Sequence, residues 1–552
     1  MAKEKILITT ALPYVNGLPH LGHLAGNFLP ADMYARYNRL VGNEVLWIGG
    51  TDEHGSPSEI AAAKEGMDVL AYTTKYHEMH KAIYEKFGFS FDYFGRTTSP
   101  NCTELTQQIA RELNANGYIE ERETEQMYSV GDGMFLADRY VEGTCPHCGY
   151  EKARGDQCDI CTKLLDPKDL LNPRSALSGS SNLEFRKTKH LYLKLSALSG
   201  EIREWVNGRD WNKLTKSIAY KWLDEGLADR SITRDLKWGV PVPSDAWPDM
   251  AGKVFYVWFD APIGYISMTK DAIGEDYKKW WFAGEDVKYV EFMGKDNVPF
   301  HSVFFPAMLI GAGKGYKLVD ELAGLSYLNF NGGKFSKSER RGVFAADALN
   351  EFEADYWRYW LLKNAPETDD TDFTFERFAE DVNKDLNDVL GNFVLRVLKF
   401  YAGKFGTTLL HDPEMGEAEK KLADALGARA KVYCGHIEAA EFRKAMAELR
   451  AAWVAGNEYL DTAAPWSAYK TDPERAGRIL AFAINLIRIF ANLASPAVPA
   501  LALRILGAIG EKPSWKVDRF DIGKGAKLAV PEKMFEKITP EMVDGLNQKY
   551  NT

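Results

Sequence analysis

The chain has 552 residues, of which 45% are hydrophobic and 26% charged, and its formal net charge is -10. This length exceeds what one hydrophobic core supports, so we expect at least three domains. The negative net charge argues against non-specific nucleic-acid binding but allows an RNA partner that is recognised by its shape. No apolar run approaches the roughly 20 residues that span a bilayer, so no membrane partner is expected. The chain start lacks a signal-peptide pattern and the six cysteines form no disulfide framework, which favours a cytoplasmic location.

The order of predicted elements is typical of a doubly wound α/β protein. Residues 6–11, 44–49 and 287–293 are apolar runs that predict buried strands, and 254–259 predicts that the sheet resumes there. We predict a parallel, Rossmann-like sheet with a cysteine-bearing insertion, followed by an all-α bundle. The predicted domains are the first half of the sheet (1–117), the insertion (118–238), the second half of the sheet (239–330), a linking region (331–385), the helical bundle (386–535) and a tail (536–552).

A loop rich in glycine and proline follows the first predicted strand and opens a predicted helix with the sequence HLGH. Helix N-termini have free N–H groups and a positive dipole end, which attract anions. His20 and His23 are three residues apart and share one side of the helix, while Gly22 lets a flat ring approach the backbone. The pattern indicates nucleotide binding. Two solvated histidines, or a pair of metal ligands, are the alternatives.

Four cysteines form two C-x-x-C pairs separated by nine residues: Cys145, Cys148, Cys158 and Cys161. Each pair predicts a tight turn that points both thiolates at one ion. A closed four-thiolate shell has no open position, so we predict one structural Zn²⁺. An iron–sulfur cluster or two disulfides are the alternatives, and a knuckle of this kind would also suit an RNA-binding module.

Far downstream, the segment KFSKS carries two lysines three residues apart. Alone it would indicate a solvated basic turn. Together with HLGH it resembles the HIGH and KMSKS signatures of class I aminoacyl-tRNA synthetases. The resemblance implies that Mg²⁺ accompanies ATP. It implies phosphate contacts with catalytic roles for His20, His23, Lys334 and Lys337, and nucleoside contacts for Gly22, Gly294 and Asp296.

Three longer blocks, ALPY at 11–14, YVWFDAPIGY at 256–265 and GKDNVPFH at 294–301, are similar to those of methionyl-tRNA synthetases. The resemblance covers essentially the whole chain. Aromatic surroundings suit a thioether, and Tyr265 and His301 carry polar hydrogens that could meet its sulfur. By resemblance Asp52 pairs with the ammonium group. The implied methionine-binding residues are Leu12, Tyr14, Asp52, Trp258, Ala261, Pro262, Tyr265 and His301.

In the predicted bundle, the resemblance implies that Asn392, Arg396 and Trp466 read the anticodon. The residue types suit the task, because a Trp ring stacks on an unpaired base, Arg stacks or donates, and Asn reads a base edge. Without the resemblance, Trp466 would be taken as a core residue and Arg396 as a surface charge.

The resemblance therefore implies a methionine–tRNA ligase whose partners are ATP, L-methionine and tRNA(Met), and we expect a monomer. Asn297, Phe305 and Glu339 depart from the residues usual in the family, at positions that bear on the closure of the pocket and of the KFSKS loop. Two other functions stay open. One is a small nucleotidyltransferase that shares H-x-G-H, and the other is a tRNA-binding protein without catalysis.

Overall fold

The computed structural model describes residues 3–155, 158, 160–161, 163, 165–282, 284–336 and 341–550. Its centre is a five-stranded sheet in which neighbouring strands are parallel. The strands lie in the order Glu321–Leu325, Val287–Gly294, Lys5–Thr10, Glu44–Thr51 and Tyr93–Arg96. The chain thus starts in the middle strand and winds outward in both directions, which confirms the predicted doubly wound fold.

Helices cover both faces of this sheet because its strands are apolar on both sides. Ile6, Leu7 and Ile8 are each at most 1% exposed, and Leu7 joins a different hydrophobic core from its two neighbours. The helical segments of the sheet domain are Leu21–His23, Leu24–Phe28, Leu29–Val41, Ser56–Glu65, Val69–Lys86, Pro100–Ala115, Pro248–Met250, Val257–Ile273, Gly274–Tyr277, Lys278–Trp281, Gly284–Asp286, Phe300–Phe304 and Phe305–Ala312.

Residues 254–259 do not continue the sheet, so that prediction is wrong. Val254–Phe255 is extended and pairs antiparallel with Thr233–Arg234, outside the main sheet. Helix Val257–Ile273 begins directly afterwards, and its residues up to Thr269 are buried except for Trp258. A helix that is apolar on every side shows no alternation, and a short window of it has the pattern of a buried strand. This helix carries one wall of the site described below.

The insertion contains two small antiparallel sheets. Strands Arg230–Ser231, Leu183–Leu193, Ile119–Ser129 and Met134–Phe135 form one, and Ala153–Arg154, Val141–Thr144 and Leu171–Ser175 form the other. Its helical segments are Asp138–Tyr140, Pro167–Asp169, Leu195–Asn207 and Lys213–Glu225. A small core that includes Tyr140, Val141, Cys145 and Cys158 lies beside the second sheet. The boundaries at 118 and 238 stay predictions.

A three-stranded unit and the first of a series of helices connect the sheet to the bundle. The strands are Gly333–Lys334, Leu328–Phe330 and Thr371–Phe373. The helices are Ala345–Glu351, Ala354–Lys363, Phe375–Val382, Asn383–Gly391, Asn392–Phe405, Glu417–Glu438, Phe442–Ala463, Pro465–Ala468, Pro473–Ala494, Pro499–Ala508 and Pro540–Tyr550. The last helix returns to the linking region, where the Tyr550 ring lies 5.6 Å from that of Phe375.

Helix Pro473–Ala494 is long and apolar enough to cross a membrane by length and composition alone. Arg478 and Arg488 interrupt the apolar sequence of the helix, so it contains no continuous apolar run of about 20 residues. The apolar window of the helix is 94% buried inside the protein, which is what the central helix of a bundle shows. Burial by neighbouring helices thus accounts for its composition.

Candidate active site

The two histidines of HLGH stand at the start of a helix and contact each other. His20 is the N-cap residue, and its backbone N–H donates to Nδ1 of His23 at 3.2 Å. The two ring centroids are 3.8 Å apart. Both rings therefore face one side of the loop that leaves the carboxyl end of strand Lys5–Thr10, which is where ligands of parallel sheets bind.

The KFSKS segment packs against these histidines. The ring of Phe335 stacks on that of His20, with centroids 4.8 Å apart and planes inclined by 17°. The N–H of Leu21 donates to the carbonyl of Val343 at 3.1 Å, which fixes the returning chain beside the helix start. A Cβ atom on Gly22 would lie 3.0 Å from the His20 ring and 3.6 Å from Phe335. The structure thus brings the two distant segments together and leaves little room at Gly22.

Two lysines flank one aromatic ring next to this contact. Lys334 is exposed, with Nζ 5.5 Å from the ring centroid of Tyr327, and Nζ of Lys295 lies 4.4 Å from the same centroid. Lys337 lies outside the described residues. Nζ of Lys295 also lies 2.7 Å from Asp370, so in the described part of the loop it is Lys334 that presents positive charge close to HLGH.

Gly294 and Asp296 form a tight turn where strand Val287–Gly294 ends. The N–H of Asn297 donates to the carbonyl of Gly294 at 2.9 Å. A Cβ on Gly294 would lie 2.8 Å from Oδ1 of Asp296, and Asp296 itself is exposed. The turn places an accessible carboxylate at the carboxyl edge of the sheet, where it could accept hydrogen bonds from sugar hydroxyls.

Asp52 is a buried carboxylate with no cation paired to it among the described residues. It is 3% exposed, and its Oδ1 has no hydrogen-bond partner in the same part of the chain. Desolvation, followed by the charge of Asp260, holds the pKa of Asp52 well above its usual range. Nδ1 of His54 lies 2.7 Å from Asp260, so Asp260 already has its own partner. A ligand cation beside Asp52 would relieve an unfavourable buried charge.

Aromatic rings stand beside Asp52. The backbone of Tyr14 forms an isolated parallel β-bridge with that of Asp52. The Tyr14 ring lies 6.4 Å from that of Trp258 in an edge-on arrangement. Trp258 stacks on Phe300 with centroids 3.8 Å apart. Leu12 is half-buried on the same loop as Tyr14. The buried residues Ala261 and Pro262 follow Trp258 on helix Val257–Ile273.

Tyr265 and His301 close the inner end of this wall. The Tyr265 hydroxyl lies 2.9 Å from Nε2 of His301, and Nδ1 of His301 lies 3.0 Å from the carbonyl of Asn297. A carbonyl can only accept, so Nδ1 carries a proton. Desolvation, followed by the charges of Glu291 and Asp52, holds the pKa of Tyr265 well above its usual range, so its hydroxyl keeps its proton.

The four clustered cysteines come together in space. Their Sγ atoms all lie within 4.8 Å of one another, and this is a group that could hold a metal ion. Two of these separations are 3.8 Å, between Cys145 and Cys161, and 3.6 Å, between Cys148 and Cys158. Four converging sulfurs fit a tetrahedral thiolate site.

A second exposed feature lies on the bundle. The guanidinium of Arg396 lies 4.5 Å from the ring centroid of Trp466, and Phe400 meets that ring edge-on at 6.3 Å. A shallow cavity of about 350 Å³ opens between these residues and Lys399. Asn392 is exposed one turn earlier on the same helix as Arg396. Asp461 lies 3.3 Å from the guanidinium of Arg396 and offsets part of its charge. An open aromatic surface edged by Arg396 and Lys399 is suited to an unpaired base.

Comparisons with known families agree with this geometry. A family model described as tRNA synthetases class I (M) matches residues 6–398, and one for the anticodon binding domain of methionyl tRNA ligase matches residues 411–552. The chain belongs to the class I methionyl-tRNA synthetases. The family expected from HLGH, KFSKS and the longer blocks is confirmed.

Individual relatives match over nearly their whole length. A methionine–tRNA ligase of Jannaschia sp. (strain CCS1) is 52% identical over 98% of this chain and 97% of that protein. One of Streptomyces avermitilis is 51% identical over 99% of this chain and 98% of that protein. Mycobacterium tuberculosis methionyl-tRNA synthetase in complex with methionyl-adenylate superposes with a TM-score of 0.80 at 25% identity, covering 96% of this chain and 99% of that one.

The structure adds residues that the family motifs did not point to. Arg139, Arg234 and Trp238 line a cleft together with Tyr14 and Trp258. They come from the insertion and its junction with the sheet, more than a hundred residues from Tyr14. The sequence WGVPVP at 238–243 contains turn-forming residues and could have indicated a rigid junction between the insertion and the sheet at this point.

Asn297 and Phe305, two of the three residues that differ from those usual in the family, contact His301 and Tyr265 of the inner wall. The carbonyl of Asn297 accepts from His301, a bond that the side chain of residue 297 does not make. The Phe305 ring lies 6.2 Å from that of Tyr265, edge-on. Glu339 lies outside the described residues.

Proposed function

We propose that this protein is a methionine–tRNA ligase. It activates L-methionine with ATP to methionyl-adenylate and pyrophosphate, and then transfers methionine to the 3′ end of tRNA(Met). The observation that carries the proposal is the buried Asp52, whose Oδ1 has no partner among the described residues and which lies on the same edge of the sheet as the HLGH and KFSKS contact. One site thus offers a carboxylate for an amino-acid ammonium group and cations for phosphates.

In this proposal, ATP lies over the helix that starts at HLGH. His20 and His23 donate to phosphate oxygens, the lysines of KFSKS add positive charge at the β- and γ-phosphates, and Gly22 lets adenine approach. Gly294 and Asp296 lie at the ribose. Mg²⁺ enters with ATP, because it binds chiefly to phosphate oxygens and water.

Methionine in this proposal binds with its ammonium group at Asp52 and its side chain among Tyr14, Trp258, Tyr265 and His301. The other proposed contacts are Leu12, Ala261 and Pro262. A polarisable thioether makes favourable contacts with aromatic rings. The hydroxyl of Tyr265 is the donor best placed to recognise the sulfur.

The chemistry needs no enzyme nucleophile. A carboxylate oxygen of methionine attacks the α-phosphorus, and the bond to pyrophosphate breaks. A hydroxyl of the terminal ribose of tRNA then attacks the methionyl carbonyl, and AMP leaves. The protein contributes by positioning the reactants and by aiming positive charge at the phosphates.

The bundle would hold the anticodon, with a base stacked on Trp466 and contacts from Arg396 and Asn392. We propose that the four cysteines hold one Zn²⁺ with a structural role, because a four-thiolate shell leaves no open coordination position. We further propose that the protein acts as a cytoplasmic monomer.

The decisive experiment is ATP–pyrophosphate exchange with single amino acids. Exchange should depend on methionine and be much weaker with leucine or isoleucine. A nucleotidyltransferase would show no dependence on an amino acid, and a non-catalytic tRNA-binding protein would bind tRNA without exchange. Either of those results would overturn the proposal.

A further inference from the structure

Glu291 is a fully buried carboxylate directly behind the inner wall of the methionine pocket. It lies on strand Val287–Gly294, is 0% exposed and stands opposite Thr9 of the neighbouring strand. Its Oε1 accepts from the hydroxyl of Thr9 at 3.0 Å and from that of Tyr289 at 2.8 Å. Its Oε2 has no hydrogen-bond partner among the described residues. A buried carboxylate held in this way is costly unless a positive charge lies nearby.

The nearest positive charge could be carried by His301. Nε2 of His301 lies 3.9 Å from Oε1 of Glu291, too far for a hydrogen bond but close enough for strong electrostatic attraction in a buried place. Desolvation raises the pKa of Glu291, and His301 is the first of the groups that oppose this rise. Glu291 therefore favours a proton on Nε2.

The proton on Nε2 of His301 decides which residue donates in the hydrogen bond between His301 and Tyr265. When Nε2 is bare, it accepts from the Tyr265 hydroxyl, and the only hydroxyl hydrogen is used inside the protein. When Nε2 carries a proton, it donates to the Tyr265 oxygen, and the hydroxyl hydrogen is left for another acceptor. Only the second arrangement lets Tyr265 donate to a thioether sulfur.

We propose that Glu291 is a positioning and specificity residue. By keeping His301 doubly protonated, it turns the Tyr265 hydroxyl toward the methionine sulfur and so separates methionine from norleucine, which has a methylene in place of that sulfur. The inference rests on the proposed function, since it assigns a donor within the same pocket.

The first test is made on the unaltered protein. Nitrogen-15 NMR of the labelled imidazoles with methionine bound reports the protonation of each ring nitrogen, and the His301→Gln variant assigns the His301 signals among the ten histidines. With methionine bound, Nε2 of His301 should carry a proton as well as Nδ1. A neutral ring with a bare Nε2 would overturn the proposal, whether or not any variant folds.

The second test compares methionine and norleucine in pyrophosphate exchange. Glu291→Gln keeps an oxygen for Thr9 and Tyr289 but removes the charge. It should raise KM for methionine about three- to tenfold, the worth of one hydrogen bond, leave kcat within about twofold and lower the preference for methionine over norleucine. Glu321→Gln, on the adjacent strand Glu321–Leu325, is the matched control and should keep that preference.

A double-variant cycle completes the test. Tyr265→Phe removes the donor itself, so adding Glu291→Gln to it should cause no further loss of discrimination. Additive losses, or an unchanged preference in Glu291→Gln, would overturn the role of Glu291. Failure of the proposed function would look different, because the unaltered protein would then show no methionine-dependent exchange.

Discussion

Asp32 and Arg358 form a fully buried ion pair that joins the sheet domain to the helices beyond it. Nη2 of Arg358 lies 2.5 Å from Oδ2 of Asp32, and both side chains are 0% exposed. Asp32 lies on helix Leu29–Val41, which continues from HLGH, and Arg358 lies on helix Ala354–Lys363. Nε of Arg358 also donates to the carbonyl of Ala497 at 2.8 Å, just before helix Pro499–Ala508 of the bundle. The helix behind the proposed nucleotide site is thus bonded directly to the bundle.

Asp32→Asn should destabilise the protein by about 3–5 kcal/mol, because it removes the carboxylate that is bonded to the buried guanidinium of Arg358. Asp355, 3.9 Å from Nε of Arg358, is too far away to replace that bond. Burial raises the pKa of Asp32, but the charges of Arg358 and then Arg36 lower it below its usual range overall. Urea unfolding measures the loss. The exposed pair of Lys189 and Asp249, at 2.6 Å, supplies the control. Asp249→Asn should leave the midpoint unchanged, and an equal effect of both variants would contradict the argument.

Stability should also depend on pH through Glu321. Desolvation first, then Asp210 and Asp320, raise its pKa from 4.5 to about 7 against the opposing charge of Lys288. The folded state holds the proton of the Glu321 carboxyl more tightly than the unfolded state does, and this stabilises the fold. The stabilisation is fully present below pH 4.5 and is lost as pH rises toward 7.

Glu321→Gln should therefore stabilise the protein more at pH 8 than at pH 5, with a difference of roughly 2–3 kcal/mol. Urea unfolding of both proteins at the two pH values measures this, because the contributions of all other groups cancel in the comparison. A variant effect that is the same at both pH values would show that Glu321 titrates normally.

The proposed nucleotide-binding role of the HLGH loop can be tested at Gly22. Gly22→Ala should lower methionine-dependent exchange by about tenfold or more, because its Cβ would lie 3.0 Å from the His20 ring, in the place proposed for adenine. Helix propensity favours alanine and the Cβ would meet a side-chain ring rather than backbone, so the fold should be weakened little. A Cβ added to Gly427, in helix Glu417–Glu438, would meet no described atom within 4 Å. Gly427→Ala should keep full exchange, and full exchange in Gly22→Ala would remove Gly22 from the site.

Elemental analysis should find one zinc per chain. Chelation or Cys148→Ser should release it and make the region around residues 145–161 more sensitive to proteolysis, because the metal site contributes its binding energy to folding. Cys434 is half-buried on helix Glu417–Glu438, away from the cluster. Cys434→Ser should retain the zinc. A purified protein without metal and with four free thiols in the cluster would contradict the assignment.

Local spacing made part of the site predictable. HLGH and the two C-x-x-C pairs place their side chains through the geometry of a single turn, so the sequence alone indicates that they act together. The contact between Phe335 and His20 is different, because it depends on how the chain returns after three hundred residues and became an expectation only through family resemblance.

Other parts of the site could not be predicted for physical reasons. The first three turns of helix Val257–Ile273 are buried on nearly all sides, and so its first residues had the pattern of a strand. Glu291 occupies one position in an apolar strand, where its charge gives no sign of which distant side chains surround it. Arg234 reaches the cleft beside Tyr14 because of the way the insertion rejoins the sheet, which sequence spacing does not reveal.

The bundle offers the clearest separation between a binding role and a packing role. Trp466 is half-buried, with Arg396 over its ring and an open cavity of about 350 Å³ beside it. Trp466→Ala should therefore weaken tRNA binding by ~1–3 kcal/mol, the worth of one stacked base, and leave tRNA-independent exchange unchanged. Filter binding and pyrophosphate exchange measure the two effects.

Trp453 is the matched control, because it lies in the same bundle and is 0% exposed. Trp453→Ala should cost ~3–5 kcal/mol of stability through the cavity that it leaves. Trp466→Ala should lower the melting temperature far less, since part of its ring already faces solvent. If instead Trp466→Ala melts as early as Trp453→Ala and binds tRNA with full affinity once folded, then Trp466 serves to pack the helices. A normal melting temperature with weakened tRNA binding would mean that the ring receives a base.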